Sequence, residues 1–265
     1  MVQTVSRIRK TPSLSNNAIV VFVGFLFWTG SVSAENYSER QRTAYLDENP
    51  LFAQLFQASE EDRVVLFSEH TAKGANGNPK SQYLVGLAYQ AGMATAQDND
   101  QALSWLEKAA LQNDLRAQYA LGAALSKKGE QESSLKWFKK AAKSGYAKAQ
   151  AAYGARLVMS KEQEVSQEGL NWLKTAFDQG HVPAAIMLAR CYSFGFGVER
   201  EWSKVIEWYT KAAELDHPSA QFILASEYKN GHGLPKDFEK ARFWAEKAAG
   251  QGIKEAEALL LELKD

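Results

Sequence analysis

The chain lacks most of what a catalyst or a nucleic-acid binder needs. Its single cysteine, Cys191, excludes a disulfide framework and any Cys-rich structural zinc site. It has no net charge, because 31 basic and 31 acidic residues cancel, so no field recruits nucleic acid or an anionic membrane. Six prolines and 18 glycines in 265 residues are too few for collagen or a linker-dominated chain. There is no Gly-x-Ser-x-Gly elbow, no His-Glu-x-x-His and no Cys-x-x-Cys. What is present is the composition of a folded domain, 45% hydrophobic and 11% aromatic.

Only one long apolar run occurs, Ala18 to Trp28, preceded by Arg7, Arg9 and Lys10. As a helix it spans about 16 Å, against roughly 30 Å of hydrocarbon core. Small residues follow, with Val32 and Ala34 at the −3 and −1 places of a cleavable signal peptide. Residues 1–34 are therefore expected to be removed after Ala34, with an uncleaved anchor as the alternative. The mature chain then has net charge −3 and no membrane span, and is periplasmic or secreted. A single cysteine suits such an oxidising compartment.

Tryptophans at 105, 137, 172, 208 and 244 reveal an internal repeat of about 36 residues. Four residues after each stands an alanine: 109, 141, 176, 212 and 248. Eight residues after stand Asn113, Gly145, Gly180, Asp216 and Gly252, types that tolerate a left-handed backbone at a helix end. Twelve residues after, alanine returns at 117, 149, 184, 220 and 256. Each unit reads as two antiparallel helices. The first carries a small-x-x-x-apolar-small-x-x-aromatic stripe, as in Ala220, Leu224, Ala225 and Tyr228. The second carries Ala-x-x-Trp-x-x-Lys-Ala-Ala, as in Ala241, Trp244, Lys247, Ala248 and Ala249. Gly195-Phe-Gly197 and Gly231-His-Gly233 connect the helices in the last two units, and Pro79, Pro183 and Pro218 open first helices.

Residues 220–252 closely resemble the Sel-one-like repeat, a sub-class of the tetratricopeptide-type fold. The expected fold is all-α: a right-handed α-solenoid of antiparallel helix pairs, with five repeats over 78–252. Residues 35–77 read as a polar arm followed by a degenerate helical capping unit, with helices at Leu51–Phe56 and Val64–Phe67. Residues 253–265 read as a capping helix. The second repeat departs from the pattern by lacking the Gly-x-Gly turn. The third departs by placing Gly169 and Phe177 where alanines are usual.

Candidate chemistry dissolves on inspection. Gly74 to Ser81 imitates a phosphate loop, but Pro79 replaces its last glycine and has no N–H to offer. His181 and His217 are equivalent residues one repeat apart, too distant for a shared metal at a packing distance of about 10 Å, and read as solvent-facing turn residues. Cys191, beside the Leu188–Ala189 stripe, reads as a buried inert thiol. No catalytic, cofactor-binding or metal-ligating residue is assigned, and a non-enzyme is expected. The resemblance keeps a hydrolase as an alternative, since some relatives are described as acting on β-lactams.

The resemblance also implies that first helices line a concave, protein-binding face. Counting from the small residue at Gly86 and its equivalents, offsets −6, −3, +1, +4 and +5 lie inside. They give Lys80, Tyr83, Leu87 and Gln90 in the first repeat, then Arg116, Tyr119, Ser126 and Lys127 in the second. The third adds Lys148, Val158 and Met159, the fourth Ile186, Arg190, Ser193 and Phe194, and the fifth Phe222, Ser226, Lys229 and Asn230. Six of these residues are basic and none is acidic. The charges favour a partner protein or peptide with acidic side chains or a free carboxylate. The aromatics Tyr83, Tyr119 and Phe222 serve equally well as packing between helices. The resulting expectation is a monomeric, cofactor-free interaction scaffold, adaptor or regulator in the bacterial envelope. The resemblance offers as a further alternative a structural part of an envelope machine, such as a flagellar motor or exopolysaccharide exporter.

Overall fold

A computed structural model describes residues 50–263. The segment read as a signal peptide, the polar arm up to Asn49 and the last two residues lie outside that range. The described residues form helices and no strand. In chain order the helices are α1 (Pro50–Gln57), α2 (Glu60–Ala75), α3 (Pro79–Ala91), α4 (Asn99–Leu111), α5 (Leu115–Lys128), α6 (Gln131–Lys143) and α7 (Ala147–Leu157). They continue with α8 (Gln163–Asp178), α9 (Pro183–Phe194), α10 (Trp202–Glu214), α11 (Pro218–Asn230), α12 (Phe238–Gly250) and α13 (Lys254–Glu262). The chain is an α-solenoid of consecutive helix pairs, divided into one compact unit ending at Asp114 and another beginning at Leu115. The helices expected near Leu51 and Val64 are α1 and α2, and α2 is far longer than the apolar run that suggested it.

Local sequence explains where helices start and stop. Asn78 and Asp98 accept hydrogen bonds from the backbone N–H of Ser81 (2.9 Å) and Gln101 (2.9 Å), capping α3 and α4. Asp237 does the same for α12 through Lys240 N–H at 3.0 Å. Asn113, Gly145, Gly180, Asp216 and Gly252 all have φ between +65° and +88°, the left-handed turn expected eight residues after each tryptophan.

In the first unit α3 packs between α2 and α4, with α1 against α2 and α3. Arg63 of α2 donates to the carbonyls of Leu55 and Ala58, fastening the orphan end of α1. His70 Nδ1 lies 3.0 Å from Ser81 Oγ, joining α2 to α3 in a buried contact. In the second unit each helix from α5 to α12 packs against the next, and α13 closes on α12 and α11.

Close helix approach is written in the small residues. The ten alanines four and twelve residues after the tryptophans are all 0% exposed. A Cβ added at Gly86 would stand 2.8 Å from Leu106, and one at Gly122 would stand 2.8 Å from Phe138. Both contacts are closer than real Cβ atoms allow, so glycine is required opposite a large neighbour. The third repeat goes further, because a Cβ on Gly154 would meet the Gly169 carbonyl at 2.7 Å. Its departure from alanine at 169 therefore permits backbone-to-backbone contact between α7 and α8. Its other departure, Phe177, packs edge-on against Trp208 with ring centroids 5.5 Å apart.

Candidate interaction surface

Four of the five repeats place a lysine three residues after the tryptophan, and its ammonium stands over the indole. The distances are 4.3 Å for Lys108 over Trp105, 5.3 Å for Lys140 over Trp137, 4.2 Å for Lys211 over Trp208 and 5.3 Å for Lys247 over Trp244. These second-helix cations belong to the scaffold. The first helices carry a different charge pattern. No acidic residue occurs in α3, α5, α7 or α9, whereas Lys80, Arg116, Lys127, Lys128, Lys148, Arg156 and Arg190 do.

The residues expected on the concave face divide into three groups. Some are committed to packing: Tyr83 is 8% exposed, and Leu87 (0%), Gln90 (8%), Val158 (1%) and Ile186 (9%) are buried as well. In α7 and α9 the more exposed apolar position is one residue further on, at Ala152 and Met187, whereas in α11 Phe222 and Ile223 are both half-buried. Tyr119 is half-buried against Phe138 and Tyr146 at 5.7 and 5.8 Å, and Phe222 packs into the core formed by α11, α12 and α13. For these aromatics the packing alternative describes what the structure shows. A second group is already paired: Lys229 forms a salt bridge with Glu262 of α13. The third group reaches solvent, with Lys80 and Lys127 exposed, Arg116, Lys148 and Arg190 half-buried, and Phe194 52% exposed. Phe194 stacks on Phe196 at 5.6 Å.

Sequence reasoning missed a buried glutamine ladder. In three repeats a first-helix glutamine donates backwards to a carbonyl at the preceding helix end: Gln82 to Gly74, Gln150 to Ala142 and Gln221 to Ala213, at 2.9, 3.4 and 3.2 Å. Its own carbonyl oxygen accepts from a glutamine at the end of the same repeat, namely Gln112, Gln179 and Gln251, at 2.7, 3.0 and 2.8 Å. The signal was present, since the two glutamines stand about 30 residues apart each time. Gln82, Gln150 and Gln221 are 5%, 3% and 0% exposed, so they hold the stack and offer nothing to a partner.

The reading of His181 and His217 as solvent-facing is corrected. Both are half-buried, and burial pushes each imidazole down to about 4, with Lys148 and His217 adding to the effect at His181. His217 Nδ1 caps α11 by accepting from Ala220 N–H at 3.4 Å. Cys191 is fully buried, and burial pushes its thiol up to about 12. Among the described residues no group of three or more His, Cys, Asp or Glu side chains is placed to hold a metal. No described helix is long and apolar enough to cross a membrane.

The helix pairs, their buried alanines and their recurring turns coincide with five consecutive matches to the Sel1 repeat, at residues 79–114, 115–146, 147–181, 182–217 and 218–253. The chain belongs to the Sel1 repeat family. Among solved structures, a Sel1 repeat protein from Oxalobacter formigenes is 26% identical with a TM-score of 0.64. That match covers 83% of this chain and 88% of that one. A protective antigen of uropathogenic Escherichia coli displaying an SLR fold is 23% identical with a TM-score of 0.66. The match covers 93% of this chain but only 56% of the antigen. An immunity protein from Pseudomonas aeruginosa, 19% identical with a TM-score of 0.55, covers 82% of this chain and 84% of its own. The last two likenesses speak for fold alone. A search of curated proteins finds none that matches. Sel1 repeats are generally scaffolds for protein interaction and typically non-catalytic.

Proposed function

We propose that this Sel1 repeat protein is a non-catalytic interaction scaffold of the bacterial cell envelope that binds a partner protein along the exposed side of its first helices. The protein is exported, loses residues 1–34 and acts as a monomer without a cofactor. The helices α1 and α2 before the repeats and α13 after them act as capping elements. One observation carries the reading of the binding side: α5, α7 and α9 bear Arg116, Lys148 and Arg190 and no carboxylate, in a mature chain that is net negative. A partner with acidic side chains fits that distribution.

The test is a partner isolated by crosslinking from periplasm and then measured in purified form. Reversing Arg116, Lys148 and Arg190 together to glutamate should abolish binding with the helical circular dichroism unchanged. Each charge-assisted contact contributes about 1.5–3 kcal/mol, enough in threes to take a micromolar complex beyond detection. Reversing Lys136, Lys143 and Lys174 on the second helices should leave affinity within about twofold. Loss on the second-helix reversal with retention on the first would move the partner to the other side and sink the proposal. Mass spectrometry should find a chain beginning at Glu35, and an intact Met1 terminus would refute export by cleavage.

A further inference from the structure

One arginine stands apart from its neighbours. Arg63 donates to backbone carbonyls of α1, and Arg156 donates to Ser126 Oγ and Gln131 Oε1 at 2.5 and 3.1 Å. Arg200 donates to the Phe194 carbonyl at 3.4 Å, and Arg242 donates to the Leu263 carbonyl at 2.6 Å. Among these five, with described residues as possible partners, Arg190 alone makes neither a hydrogen bond nor an ion pair. The residue is half-buried, and nothing in the described protein bonds its fork of donors. Glu227, the one carboxylate on α11, lies against His232 Nδ1 at 3.4 Å. The Tyr209 hydroxyl on α10 feels the charges of both Arg190 and Glu227.

The rest of α9 defines what lies beside that guanidinium. Ala184, Ala185, Ile186, Leu188, Ala189 and Cys191 take the helix into the core. Met187, Arg190 and Phe194 form the less buried stripe at positions i, i+3 and i+7, with Met187 partly buried against the core, Arg190 half-buried and Phe194 52% exposed. Two adaptable apolar side chains therefore flank one unanswered fork of donors. Along the helix Met187 and Phe194 are about 10 Å apart, the length of about three residues of extended chain.

The geometry points to a binding site on α9 for an extended peptide segment that carries an aspartate or glutamate between two apolar side chains. The carboxylate takes the Arg190 fork, and the apolar residues rest on Met187 and Phe194. This rests on the reading that first helices bind a protein partner, and it specifies the chemistry at one point of that surface. An internal acidic side chain is favoured over a chain terminus. Terminal carboxylates are captured by nests of backbone N–H groups, and mid-helix α9 has its N–H groups already bonded.

The experiment uses a display library of twelve-residue segments fused at both ends, panned on the full chain. Selected sequences are then made as acetylated, amidated peptides and measured by fluorescence anisotropy. Selected peptides should place Asp or Glu between apolar residues two to four positions apart. Arg190→Ala should weaken them about tenfold or more, Arg190→Lys by a smaller factor, and Phe194→Ala by severalfold. The matching Asp→Asn peptide should lose affinity for wild type and lose no more on Arg190→Ala. Failure to select any segment, selection without an acid, or equal affinity for Arg190→Ala would overturn the proposal. So would binding only by peptides with a free C-terminal carboxylate. These outcomes are separable from the broader reading, since the triple reversal would still abolish capture of the native partner if only the α9 site were wrong.

Discussion

Replacing Gly233 by alanine should be among the most damaging single-methyl changes in this protein, and the reasons can be separated. Gly233 has φ +70°, where an L-residue costs about 1–2 kcal/mol. Its missing side chain also makes room for Trp202, because an added Cβ would fall 1.3 Å from the indole Cδ1. The indole must therefore move off the turn, an overpacking cost of about 1–3 kcal/mol. The sum is about 2–5 kcal/mol. Gly145, in the same unit, has φ +88° and no neighbouring atom within 4 Å, so Gly145→Ala carries the conformational part alone. Gly197 is the equivalent of Gly233 one repeat earlier, with Ser166 Cβ 2.6 Å from the added atom, and should fall between them. Urea denaturation of the three variants should rank them Gly145, Gly197, Gly233 in increasing cost. Combining Trp202→Ala with Gly233→Ala should recover the steric part and leave the backbone part. Equal losses at 145 and 233, or no recovery on removing Trp202, would refute the account of how the turn of the fifth repeat packs on α10.

Ala94 occupies with φ +64° the place that glycine holds at 197 and 233, so Ala94→Gly should stabilise the first unit by about 0.5–1 kcal/mol in a thermal melt. Gln221→Ala should cost about 1–2 kcal/mol by removing buried hydrogen bonds to the Ala213 carbonyl and from Gln251, both of which keep a bond with Asp216, and adding Gln251→Leu should return part of that loss. The fourth repeat already has this apolar combination, Ala185 with Leu215. Acid should loosen the second unit. His181 and His217 titrate near 4 when folded and near 6.5 when unfolded. Their contribution is therefore whole above about pH 6.5 and is lost as pH falls toward 4, by about 2–3 kcal/mol for each ring. His217→Asn keeps a capping acceptor for α11 and should flatten part of that dependence in melts from pH 8 to 4 without lowering stability at pH 8.

The architecture was legible because the repeat states it five times. A residue type that recurs at a fixed distance from tryptophan is constrained by packing, and all ten such alanines are fully buried. Irregularities were visible but not interpretable alone. Gly169 looks like a flaw in the pattern until Gly154 is found against it, and Phe177 until Trp208 is. The binding side was harder for a different reason. Periodicity assigns a position to a side of a helix, but whether a charge there is available depends on partners roughly one repeat away. Lys229 is answered by Glu262, 33 residues on, and Arg156 by Ser126, 30 residues back. The α7 and α9 apolar positions also lie one residue from the offset that the family register implied, which takes Ile186 into the core and leaves Met187 the less buried of the two. A list of six basic residues thus overstates the surface. Subtracting the cations already engaged leaves α9 as the place where an exposed aromatic, a methionine and an unanswered guanidinium share one stripe. That coincidence comes from what the neighbouring helices fail to supply, so it could be found only once the partners of Arg63, Arg156, Arg200 and Arg242 were known.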